Sequence, residues 1–177
     1  MPLNANLFRD SVSMNSYALR TNTKSPRGGD LKMNASDSPN DPWVVFDYEV
    51  DMFRNLYQLL ATGNPQYQGL SHYIKNAIVE SAVLHTRILV GILLSRGPEP
   101  DDINLSNLAP GFSCPEIDQL SQTYGRRNDN STPCWTFNKM LAHATSQRTD
   151  SFDYSIPLNQ LATLINNIVD QVNAQRN

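Results

Sequence analysis

The stretch from Gln68 to Ser95 constrains the fold more than any other part of the chain, because it reads as one long amphipathic helix. Leu70, Ile74, Ala77, Ser81, Leu84, Ile88 and Ile92 fall on one face at helical spacing. The half from Ile88 to Leu94 is apolar almost all round, as a helix surrounded by other helices would be, and Ser95-Arg96-Gly97-Pro98 ends it. Such a helix needs neighbours that cover its apolar surface, and the flanking segments read as helices too.

Upstream, Asn40-Asp41-Pro42-Trp43 places an acceptor side chain before a proline suited to the first helical position. The run that follows carries Phe46, Val50, Phe53, Tyr57 and Leu60 on one stripe, widened by Met52, Leu56 and Leu59. Thr62-Gly63-Asn64-Pro65 closes it, with Gly as C-cap and Pro as a stop. Residues 98–112 read as a polar connection, and Pro115 to about Thr123 as a short helix closed by Tyr124-Gly125. Thr132-Pro133 opens a further helix to about Gln147, with Phe137, Leu141 and Ala144 inward. Ser155-Ile-Pro157 opens the last, where Leu158, Leu161, Ile165, Ile168 and Val172 alternate in steps of three and four. The expected fold class is therefore all-α, a bundle of four main helices plus a short helix over residues 41–177. Residues 1–40, punctuated by Ser-Pro, Gly-Gly and Asp-Pro and without sustained periodicity, are expected to be a disordered or flexible arm.

Composition narrows the function classes. A net charge of −3 gives no global basic field toward nucleic acid or anionic membrane. The longest apolar run, near Ile88–Leu94, is far short of the roughly 18 residues of a membrane span, so no membrane association is expected. The N-terminus lacks the charged-then-apolar pattern of a signal peptide, which points to a cytoplasmic protein. In that setting Cys114 and Cys134 are expected as free thiols, and their spacing makes no cysteine zinc site. Three scattered histidines make no metal site either. No Gly-rich phosphate loop, nucleophile elbow or HExxH motif occurs, and no cofactor is expected.

Placed at about 100° per residue, Asn76, Glu80 and Arg87 form a narrow polar stripe on the long helix. Charges flanked by apolar residues need partners. The stripe reads either as a structural Glu–Arg network locking neighbouring helices, or as a carboxylate and guanidinium lining a groove. His85 is only two positions from Arg87 yet points nearly the opposite way, onto the apolar face, and reads as a hydrogen-bonded core histidine. His143 shares a polar face with Thr136, Lys139 and Gln147, where solvent, a partner or a substrate could reach it. It is the best general acid/base candidate in the chain.

Glu80-Ser-Ala-Val-Leu-His-Thr-Arg-Ile-Leu on the long helix, together with Asn138-Lys-Met-Leu-Ala-His143 on a later one, resembles the HEPN superfamily (higher eukaryotes and prokaryotes nucleotide-binding) over roughly residues 43–175. The resemblance implies a helical bundle of four to five helices, often dimeric, and in active members a metal-independent ribonuclease. In those members an Arg, a polar residue and a later His meet RNA across a dimer cleft. Here His143 fits the histidine and Lys139 the polar slot, but Asn138 stands where the Arg belongs. Asn can hydrogen-bond phosphate but brings no positive charge to a phosphoryl transition state. Lys139 or Arg148 could substitute only from outside the motif position.

The main expectation is thus a non-catalytic HEPN-like module working by homo-oligomerisation or by binding a protein partner. The alternatives are a toxin- or defence-type ribonuclease, with His143 as acid/base and Lys139, Arg148 or Arg87 on the phosphate of an RNA substrate, and an unrelated helical small-molecule binder.

Overall fold

The structure is a computed structural model, and it describes residues 41–61, 63–97, 99, 101–138 and 154–176. Helix α1, Pro42–Leu60, starts where the sequence places it: Asp41 accepts a hydrogen bond from the Trp43 amide at 2.9 Å and Pro42 occupies the first turn. Phe46, Val50 and Phe53 are buried along one side, and Leu56, Tyr57 and Leu60 extend that side half-buried.

The long helix starts later than its periodicity suggests. A single turn, α2 (Pro65–Gln68), is capped by the Asn64 side chain, which accepts from the Gln66 amide at 3.0 Å. The chain then breaks at Gly69–Ser71 before α3, His72–Leu93. The face of α3 that looks inward also differs from the expected one. Ala82, Val83, Thr86, Leu89, Val90 and Leu93 are buried, whereas Ile74, Leu84 and Ile88 are 49%, 48% and 36% exposed and Tyr73 is 84% exposed. The reason is composition: α3 is apolar on both faces, so periodicity finds a stripe without saying which stripe its neighbours cover. By length and composition α3 could also cross a membrane, but 44% of its most apolar window is buried inside the bundle.

Beyond α3, Leu105–Leu108 forms the short helix α4 inside the segment expected to be only a connection. Its ends are tied by reciprocal hydrogen bonds between Asn104 and Asn107, and Leu105 and Leu108 enter the core. Helix α5, Pro115–Tyr124, ends on Gly125, whose φ of 74° and ψ of −154° lie in a region open essentially to glycine alone. A Cβ there would also fall 2.3 Å from Thr132 Cγ2. Thr132 in turn caps α6, Pro133–Thr136, by accepting from the Trp135 amide. The expected continuation of α6 toward Gln147 lies outside the described residues, as does the expected arm at 1–40.

The last helix, α7, Ser155–Asn173, buries the full three-four series Leu158, Leu161, Ile165, Ile168 and Val172. It packs on α5, α3 and α1, while α1 packs chiefly on α3. Polar links tie α1 to α7: Arg54 donates to Asn166 at 2.9 Å and to Asp170 at 2.6 Å, and Tyr57 donates to Asn159 at 2.7 Å. After α7 a 3-10 turn, Ala174–Arg176, brings Arg176 to Asp47 at 2.8 Å and over the Trp43 ring at 3.9 Å. No strand occurs among the described residues, and the all-α class is as expected; the described helices of ten or more residues are α1, α3, α5 and α7.

Candidate functional site

The polar stripe on α3 splits when its members are placed. Asn76 is exposed in the first half of the helix, with its side-chain nitrogen 3.1 Å from His72 Nε2 one turn earlier. Glu80 is exposed, while Arg87 is half-buried. Arg87 Nη2 donates to Asn138 Oδ1 at 3.0 Å, across to the segment that follows α6. The other end of the same carboxamide donates to the Cys134 carbonyl oxygen at 2.7 Å and lies 3.7 Å from Cys134 Sγ. Asn138 thus spends both ends holding α6 to α3. The described bond of Arg87 is thus to Asn138 on a neighbouring element, and not the Glu–Arg network that the stripe suggests. Lys139, His143 and Arg148 lie outside the described residues.

Behind this link sits Tyr124, the last residue of α5, buried against Phe137 with ring centroids 6.4 Å apart. Burial pushes its phenol up to about 12, the neighbouring Cys134 thiol adds to the rise, and the Arg87 guanidinium opposes it. The Asn138 amide thus anchors the Arg87 guanidinium beside α3, and a second guanidinium, that of Arg96, lies over the Tyr124 ring at 5.4 Å. Both cysteines are free thiols, Cys114 half-buried and Cys134 buried.

His85 occupies the position expected of a core histidine. It is 6% exposed, and its Nδ1 lies 2.7 Å from Oε2 of Glu49, which is equally buried, on the facing side of α1. The Tyr48 ring packs edge-on against the imidazole with centroids 5.8 Å apart. Glu49 is not among the residues expected at a site, although the sequence carries a signal for it. It stands three residues after Phe46 and four before Phe53, inside the apolar stripe, where a carboxylate requires a buried partner.

Tyr48, which touches His85, is itself exposed. Val45, Tyr48, Tyr73, Ile74, Leu84, Ile88 and Ile156 are the large hydrophobic side chains left exposed among the described residues, and all but Ile156 belong to α1 or α3. Exposed apolar groups mark interaction surfaces where they are contiguous. A separate depression of about 520 Å³ near the chain's end is lined by Asp41, Trp43, Asp47, Leu108 and Arg176 and is open to solvent. Among the described residues, no group of three His, Cys, Asp or Glu side chains is arranged to hold a metal ion.

Fold and site together define an all-α helical protein with an apolar face on its central helix pair. Comparison of the chain with family models, with curated proteins and with solved structures finds no match.

Proposed function

We propose that this chain is a non-catalytic helical interaction module, of the HEPN-like kind its sequence resembles, which docks a protein partner on the outer face of α1 and α3. The observation that carries the reading is the gathering of exposed large apolar side chains on those two helices. Covering Leu84 and Ile88 removes apolar area from water at roughly 25 cal/mol per Å², the ordinary driving force of association. The non-catalytic half of the reading draws on Asn138, which replaces the arginine of active members and whose amide is already committed to Arg87 and Cys134.

A photo-crosslinking residue placed at Leu84 tests the docking face, with the exposed Thr163 on α7 as the control position. Protein adducts at position 84 and none at 163 are expected in the native cell. Equal labelling at both, or none at either, would sink the docking assignment. In parallel, RNA incubated with the purified chain in the absence of divalent metal is expected to stay intact. Cleavage that disappears in His143→Ala would overturn the non-catalytic reading in favour of a ribonuclease.

A further inference from the structure

We propose that the occupant of this face is a second copy of the chain, with two α3 helices pairing antiparallel about a twofold axis. The proposal rests on the reading of α3 as a docking surface and adds the partner and the register.

The outward stripe of α3 is a heptad series. Ile74, Ala77, Ser81, Leu84, Ile88 and Gly91 follow one another at intervals of three, four, three, four and three. Ile74, Ala77, Leu84 and Ile88 are exposed, Ser81 and Gly91 half-exposed, and nothing lies within 4 Å of where a Cβ on Gly91 would stand. Large and small residues are distributed unevenly along the stripe, and that distribution selects the direction of pairing. In an antiparallel pair centred between Ser81 and Leu84, Leu84 faces Ser81 of the second copy, Ile88 faces Ala77, and Ile74 faces Gly91. Every layer then sets one large side chain against one small one, the alternation by which helices interdigitate closely. A parallel pair sets Ile against Ile, Ser against Ser and Gly against Gly, leaving alternate layers crowded and empty.

Charge selects the same register. Glu80 and Arg87 occupy equivalent flanking positions of successive heptads on one side of the stripe. Flanking positions of this type meet each other across an antiparallel pair, so this register puts Glu80 of each copy opposite Arg87 of the other, twice over. In a parallel pair the same positions meet His85 and Ile92 instead, and no opposite charges face one another. The described bond of Arg87 to Asn138 uses a single guanidinium nitrogen of a group that carries five N–H donors. That bond also holds the guanidinium at the edge of the stripe before any partner arrives. The interface differs from the cleft implied by the family resemblance, because its layers come from α3 alone.

Sedimentation equilibrium of the full-length chain tests the proposal. A dimer is expected, abolished by Leu84→Glu and weakened about tenfold by Glu80→Arg or by Arg87→Glu at low salt. The double exchange Glu80→Arg with Arg87→Glu is expected to restore it, an outcome that only mutual pairing of these two positions provides. Circular dichroism confirms that each variant is folded; should Arg87→Glu fail to fold for want of its Asn138 bond, Glu80→Gln together with the salt dependence reads the same contact. A chain that stays monomeric through the micromolar range overturns the proposal. If it also gives adducts with other proteins at position 84, the docking face stands and only the partner is wrong. A dimer indifferent to Leu84→Glu, or a double exchange that fails to recover, overturns the register. Flotation of a monomeric chain with phospholipid vesicles would assign the face to a lipid surface instead.

Discussion

At the scale of single residues, the buried contact between His85 and Glu49 joins two elements far apart in the chain. Each side chain is 8% exposed, and at 2.7 Å each supplies the polar partner the other needs. Removing one member leaves the other in the core without compensation, which costs more than the pair contributes. Glu49→Ala is expected to destabilise the protein by about 2–4 kcal/mol in urea unfolding. The further replacement of His85 by Ala on that background should cost less than it does alone, because the orphaned group is gone. Tyr124 makes a second prediction. Its phenol is raised from 10.0 to about 12 in the folded state, so burial favours the protonated form. The corresponding stability is fully present below pH 10 and is lost as pH rises through 12, an effect on the order of 2–3 kcal/mol. Tyr124→Phe should be free of this loss, so its stability relative to the wild type rises across that window.

At the scale of elements, α3 is the instructive case. Its apolar residues form two stripes, and only one enters the core. Leu89 is fully buried and Leu84 about half exposed, so the same truncation to Ala at these two positions reads out which face is covered. Leu89→Ala is expected to cost about 2–5 kcal/mol. Leu84→Ala should change stability by no more than about 0.5 kcal/mol in the monomer. Equal losses at the two sites, measured by denaturant midpoint, would contradict the orientation of α3. Helix α7 offers the contrast. Its single apolar stripe is flanked by Asn159, Asn166 and Asp170, and the residues named by its three-four spacing are all buried, with Ala162 and Val169 beside them. Where polar residues fill the other face, periodicity has only one orientation to offer.

At the scale of the whole molecule, the chain's end is tied back to the start of α1. Arg176 bonds Asp47 and covers the Trp43 ring, while Arg54 and Tyr57 reach α7 from further along α1. Arg176 and Asp47 are both solvent-accessible, so Arg176→Ala is expected to cost no more than about 1 kcal/mol. Its signature is local instead. Amide hydrogen exchange should speed up in the first turn of α1 and stay unchanged in α3. Uniform acceleration through the bundle would show that this tie supports the global fold.

The helical class, the capped start of α1 and the inward three-four series of α7 are legible in the amino-acid order. Each depends on local chemistry or on one unambiguous stripe: an Asp before a Pro, an apolar series with polar flanks. His85 is buried as its sequence suggests, but the face its spacing gives it, with Ser81 and Ile88, looks outward. The outward face of α3, the pairing of His85 with Glu49 and the link from Arg87 to Asn138 were not legible. They depend on which helix lies beside which, and residues 36 and 51 positions apart carry no local mark of their meeting. The long helix, which its sequence predicts to be surrounded by others in its second half, is two-faced in the tertiary structure. Its neighbours cover one apolar stripe and leave the other to solvent, because two partner helices on one side of a cylinder cannot also reach around it.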